Sequence, residues 1–216
     1  MEFEEEKERL IRSMIMAGSL KTEKIIEAFR KIPRHLFVTE EYLKSAYLDV
    51  ALPTIGGSTI SQPTTVAIMT EALQPKKGEK ILEVGTGSGW QACLLAYCVG
   101  SKGKIVTIDI DPKLIEFAKK NIKKFNVKNI RIICCDGSVG YEKEAPFDRI
   151  MVTAACPAIP KPLIEQLKIK GRMVVPVGPE QGQRMLLVDK LGRNKLVQRD
   201  IGEFVFVKLV GKYGFK

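Results

Sequence analysis

The stretch "ILEVGTGSGW", Ile81–Trp90, decides the fold. A short apolar run ends in glycines at 85, 87 and 89, and a helical pattern begins at once. Such a run, bounded by glycines and followed by a helix period, reads as a strand handing over to a helix. The glycines let the backbone turn sharply and approach a ligand closely. Working outward, Lys80–Val84 reads as a strand, Trp90–Cys98 as a helix and Lys104–Ile108 as a second strand. Pro112–Phe125 follows as a helix opened by Asp111-Pro112. Ile130–Cys134, Arg149–Thr153 and Arg172–Val177 read as further strands, with a helix over Lys161–Leu167. This alternation predicts a doubly wound α/β fold on a parallel, Rossmann-like sheet.

The flanks differ from this core. Residues 3–31 carry helical periodicity (Leu10, Ile11, Met14, Ile15; then Ile25, Ile26, Phe29), closed by Pro33. Residues 40–62 are loop-rich. Ser61 or Gln62, followed by Pro63, reads as the start of a helix through Val66, Ile68, Met69 and Leu73. After Gly178, Arg184–Asp189 and Lys195–Val210 flank a "LGRN" turn, so an antiparallel hairpin is expected at the C-terminus. We read residues 1–216 as one domain: N-terminal helices and a loop (1–62), an α/β core (63–178) and the hairpin (179–216).

The loop chemistry points away from phosphate. A dinucleotide fingerprint needs glycine where Trp90 stands, and no Gly-Lys-Ser/Thr follows, so a P-loop is excluded. An acid, Glu83, precedes the glycines and suits a ligand carrying positive charge. A second, Asp109, ends the next strand 24 positions after Gly85, where such folds bind ribose hydroxyls. A third, Asp136, ends the following strand and is placed to accept from an adenine amino group. Adenine, ribose and a cationic tail without phosphate describe S-adenosyl-L-methionine.

Composition bounds the alternatives. The 216 residues carry a formal charge of +10, spread as lysines along helix faces, which fits a solvated surface better than a nucleic-acid groove. The one histidine, His35, argues against a metal site and a histidine-paired nucleophile. The five cysteines (93, 98, 134, 135, 156) form no Cys-x-x-Cys pair and read as reduced, mostly buried thiols. No run approaches the roughly 20 apolar residues of a membrane span, and the charged N-terminus does not read as a secretory signal. A cytoplasmic protein with no membrane partner is expected.

Beyond these patterns, the chain resembles the protein-L-isoaspartate O-methyltransferases over nearly its whole length. The resemblance rests on "IPRHLFV" (32–38), "DVALP" (49–53), "TISQP" (59–63), "LEVGTGSG" (82–89), "DGS" (136–138), "PFDRIMVTAA" (146–155) and "GRMVVPVG" (171–178). It implies a class I S-adenosyl-L-methionine-dependent methyltransferase fold. The implied activity is methylation of the α-carboxyl of L-isoaspartyl residues in damaged proteins, with isoaspartyl proteins and peptides as partners, no nucleic acid, and a monomer. It implies cofactor contacts from Glu83, Gly85, Thr86, Gly87, Gly89, Asp109, Ile110, Asp136, Gly137 and Thr153. The acceptor would be held by Thr59, Ile60, Ser61 and Val205, with Ser61 as the active-site serine. "GGSTISQP" (56–63) then reads as a carboxylate cradle on a glycine-hinged loop, its bland alternative being that Ser61 only caps the following helix. Trp90 replaces a frequent Tyr, Asp109 a frequent Glu, and Val205 and Lys208 stand where Arg and Pro are common. Two rivals are a nucleic-acid methyltransferase on the same scaffold, motivated by the charge, and a non-catalytic cofactor-binding protein.

Overall fold

The structure, a computed structural model, describes residues 3–125 and 127–216. Two amphipathic helices, α1 (Glu4–Met16) and α2 (Glu23–Lys31), come first. A tiny antiparallel ladder follows, β1 (Leu52–Pro53) with β2 (Thr59–Ile60), and then α3 (Pro63–Leu73). The core alternates β3 (Lys80–Val84), α4 (Trp90–Val99), β4 (Lys104–Asp109), α5 (Pro112–Ile122), β5 (Ile130–Cys134), β6 (Phe147–Val152), α6 (Lys161–Gln166) and β7 (Leu167–Val177). It closes with β8 (Gln183–Gly192) and β9 (Lys195–Phe204).

The seven-stranded sheet has the order β5-β4-β3-β6-β7-β8-β9; β8 runs antiparallel to β7, and β9 antiparallel to β8. The chain winds out from β3 to β5 and returns to place β6 on the other side of β3. Ligands bind in such sheets at the carboxyl ends of the strands beside this reversal. The period of two divides each strand between faces. Ile81, Ile105 and Met151 pack toward α1–α5, whereas Leu82, Val84, Val106 and Ile108 pack with Leu163 of α6.

Several bounds differ from the expected ones. The α5 helix ends at Ile122, three residues short of Phe125. β6 begins at Phe147 rather than Arg149, and β7 at Leu167 rather than Arg172, because a register shift lets Phe147 pair with Leu167. The last strand stops at Phe204, not Val210. There Gln183 Oε1 takes the Phe206 N–H at 2.8 Å, which removes that donor from the ladder. Residues 205–210 instead cross the carboxyl end of the sheet, where Ala155 N donates to Val207 O and accepts Leu209 N at its own carbonyl, both at 2.8 Å. Three cysteines are buried as expected, but Cys134 is exposed at the end of β5. His35 sits in a 3-10 turn, stacked on Phe3 with Nδ1 2.8 Å from Tyr47 Oη, and serves to dock α1. No helix among the described residues is long and apolar enough to cross a membrane.

Candidate active site

A cavity of about 760 Å³ opens at the carboxyl ends of β3, β4 and β6. Its floor is the glycine loop, one wall is the 56–62 segment with α3, and the other is the 203–210 strap. Gly85 is required here by geometry. Its φ is +101°, and a Cβ would come within 2.2 Å of Thr153 Oγ1. That hydroxyl donates into the Val84 and Gly85 carbonyls at 3.0 and 2.8 Å, tying β6 to the loop. Gly87, at φ +51°, has open space where a Cβ would stand, and its N–H donates to Asp109 Oδ2 at 3.0 Å. Asp109 Oδ1 accepts from Asp111 N at 3.2 Å, so one half-buried carboxylate joins the first two strand ends.

Most of the expected site residues line this one cavity: Thr59, Ile60, Ser61 and Val205 on the walls, and Gly85, Thr86, Gly87, Asp109, Ile110, Gly137 and Thr153 around the floor. Three do not. Gly89 caps α4 at φ +85° against Ile122, so its role is in packing α4 to α5. Asp136 stands behind Gly137. Its Oδ1 caps Ser138 N at 2.8 Å, and its Oδ2 accepts Lys212 N at 2.8 Å from the C-terminal turn. The carboxylate expected to accept from an adenine amino group is thus engaged by Ser138 and by the C-terminal turn.

Glu83 is the clearest correction. It is wholly buried, its Oε2 accepts from Thr107 Oγ1 at 2.5 Å, and its Oε1 has no partner among the described residues. Burial pushes its carboxyl from 4.5 up to about 8, so at neutral pH it carries a proton and not the expected negative charge. The native state thus keeps a proton that the unfolded chain releases. The resulting stability is fully present below about pH 4.5 and is lost as the pH rises toward about 8. Glu83→Gln should therefore gain stability over the wild type between pH 5 and pH 8 in urea unfolding; a constant difference at both pH values would contradict the buried, protonated state.

The residues fit a phosphate-free cationic ligand. Around the cavity the acids are Asp109, Asp111 and Glu203, while the one basic lining residue among the described residues, Lys208, is on the far strap and pairs with Glu180 at 3.3 Å. Among the described residues, no basic side chain beside the glycine loop would neutralise a pyrophosphate. A Cβ on Gly137 would strike Val84 Cγ1 at 2.6 Å, so this part of the wall stays bare backbone beside Ile108. Bare backbone, apolar side chains and an accepting carboxylate suit a nucleoside.

The family model described as Protein-L-isoaspartate(D-aspartate) O-methyltransferase matches residues 5–214. The chain belongs to this family. A protein-L-isoaspartate O-methyltransferase 2 of Archaeoglobus fulgidus is 48% identical, with 100% of this chain and 98% of that protein covered. A protein-L-isoaspartate O-methyltransferase of Pyrococcus horikoshii is 44% identical over 100% of this chain and 97% of its own length. Among solved structures, a protein-L-isoaspartate O-methyltransferase superposes with a TM-score of 0.87 at 32% identity, over 96% of this chain and 67% of that one. A Plasmodium falciparum structure, described as a candidate protein-L-isoaspartate O-methyltransferase with S-adenosyl-L-homocysteine, shares the fold with a TM-score of 0.83 at 21% identity, over 94% and 97% of the two chains.

In this methyltransferase one wall of the cavity depends on a residue to which the motifs gave no role. Ser61 is half-buried on the cavity wall and does not cap α3. Asp49 does that work: its carboxylate accepts Thr64 N at 2.8 Å, Thr64 Oγ1 at 2.7 Å and Gln62 Nε2 at 3.1 Å. The Ser61 hydroxyl has no protein partner among the described residues and remains available to a ligand. Asp49 was legible as part of "DVALP", but nothing in its local sequence says that it caps a helix fifteen residues on. Gly56, at φ +66°, sits so close to α5 that a Cβ would lie 2.6 Å from Asp111 Oδ2, which brings the loop against the rim of the cofactor side.

Proposed function

We propose that the 59–61 segment and the N-terminus of α3 hold the α-carboxylate of an L-isoaspartyl residue for methylation, with Ser61 orienting it and Thr59, Ile60 and Val205 framing the peptide. The protein is a protein-L-isoaspartate O-methyltransferase that initiates repair of damaged proteins. The observation that carries the site reading is the Ser61 hydroxyl, released from capping by Asp49 and lining the same cavity as the glycine loop. S-adenosyl-L-methionine supplies, when bound, an electrophilic methyl group on a sulfonium. Gly85, Gly87, Gly137, Asp109 and Ile110 would hold it, with Asp109 on the ribose hydroxyls.

The reaction asks little acid–base chemistry of the chain. A carboxyl of pKa roughly 3.5–4 is already an anionic nucleophile at neutral pH. Its oxygen gains the methyl, the sulfonium is left as a neutral thioether, and no proton moves. The chain must orient the carboxylate and exclude water, and such positioning supplies roughly 7–11 kcal/mol of a barrier. A helix N-terminus and neutral hydroxyls attract the carboxylate without placing a side-chain cation beside the sulfonium. We read the working unit as a monomer. We read its setting as cytoplasmic and its partners as isoaspartyl proteins without nucleic acid.

The test uses methyl-labelled S-adenosyl-L-methionine and two peptides of one sequence, with L-isoaspartate or L-aspartate at one position. Base-labile label on the isoaspartyl peptide alone is expected. No label on either peptide, with cofactor bound, would overturn the acceptor assignment, and labelling of RNA would favour the nucleic-acid alternative.

A further inference from the structure

Behind the acceptor wall lies a buried cation that neither motif nor mechanism accounts for. Arg34 follows Pro33 in a 3-10 turn and is 1% exposed. Its guanidinium faces no carboxylate within ion-pair distance among the described residues. Its donors go to main-chain carbonyls: Nη1 to Ala46 O at 2.7 Å and Leu48 O at 3.4 Å, and Nη2 to Val50 O at 2.9 Å, Ser61 O at 3.1 Å and Ile60 O at 3.4 Å. Its Nε has no partner among the described residues, and the guanidinium carbon lies 5.5 Å from the Trp90 ring centroid. The nearby acid, Asp49, is spent on Gln62 and Thr64.

A buried charge without a counter-charge is costly to the fold. The arrangement has a geometric consequence. In a trans peptide the N–H of the next residue points opposite to the carbonyl. Drawing Ile60 O and Ser61 O toward Arg34 therefore turns the N–H groups of Ser61 and Gln62 to the opposite side. Both residues line the cavity. The charge also remains: burial lowers the guanidinium pKa to about 10, which leaves it protonated at neutral pH.

We propose that Arg34 is a positioning residue for methyl transfer, anchoring the Ile60 and Ser61 carbonyls from behind so that amide and hydroxyl donors face the acceptor, and lending the loop a positive potential that selects a carboxylate. This inference rests on the acceptor site proposed above. Arg34 touches neither reactant and acts through Ser61 and its neighbours. Preorganised donors of this kind act most strongly where water is excluded. The planar fork presents two separate nitrogens to five carbonyls, a spread that the single nitrogen of an ammonium cannot match.

The experiment compares Arg34→Lys and Arg34→Met with the wild type and with Ser61→Ala, measuring cofactor Kd by calorimetry and KM and kcat on an isoaspartyl peptide. Arg34→Lys, which keeps the charge and loses the fork, is expected to raise peptide KM about tenfold with cofactor Kd changed less than twofold. Arg34→Met is expected to raise it further. If Arg34→Met does not fold, Arg34→Lys decides. Unchanged peptide KM in a folded variant that binds cofactor would overturn the inference, and so would a parallel loss of peptide and cofactor binding, which marks a merely structural role. Full turnover in Ser61→Ala would instead show that the acceptor site itself was misplaced; a loss in Ser61→Ala beside wild-type behaviour in Arg34→Lys would remove only the role of Arg34.

Discussion

Ser61→Ala is expected to lower kcat on an isoaspartyl peptide by roughly 10²–10³-fold, the usual consequence of deleting one preorganised donor at a reacting oxygen. Cofactor affinity should stay within about twofold of the wild type, since the hydroxyl is on the loop wall and the cofactor residues are on the floor. The fold should also survive. The α3 cap is Asp49, so removing the Ser61 hydroxyl leaves Thr64 N satisfied. Single-turnover methyl transfer, calorimetry and a thermal melt separate these three quantities. A variant with unchanged kcat would remove Ser61 from the chemistry. One that melts much earlier would mean the hydroxyl is structural after all.

Asp109→Ala should have the second large effect, in the opposite half of the site. Its carboxylate accepts Gly87 N and Asp111 N, so its loss frees the glycine loop and the entry to α5 together. With the proposed ribose contact also gone, cofactor Kd should rise about 10–100-fold, as expected for a charge-assisted hydrogen bond in a sheltered site. Peptide KM at saturating cofactor should change little. Asp109→Asn, which keeps one accepting oxygen, should fall between the two. Calorimetry decides: an Asp109→Ala variant with wild-type cofactor affinity would refute the assignment.

These two variants sit on opposite sides of what the motifs made legible. The strand–helix alternation, the glycine loop and Asp109 were readable because each depends on a local pattern: a short apolar run, a backbone that must turn, an acid at a strand end. The outer bounds were less so. Val205–Val210 alternates like a strand, yet leaves the sheet because Gln183 and Ala155 offer its amides other partners. The site showed the same division. Glu83 is the penultimate residue of β3 and Asp136 stands two residues past the end of β5, but position along a strand does not set charge or availability. Desolvation holds Glu83 protonated, and the C-terminal turn takes an oxygen of Asp136.

By itself, then, the amino-acid order determined the α/β winding, a phosphate-free nucleoside site and the family to which the chain belongs, because periodicity, glycine spacing and motif text are properties of neighbours along the chain. Tertiary structure alone decided which groups are free to act. Asp49 reaches across fifteen residues to cap α3 and release Ser61, and Arg34 reaches across twenty-seven to turn its carbonyl away from the cavity. Neither contact has a local signature, since a side chain's hydrogen-bond partners are settled by which segments the packed core brings together.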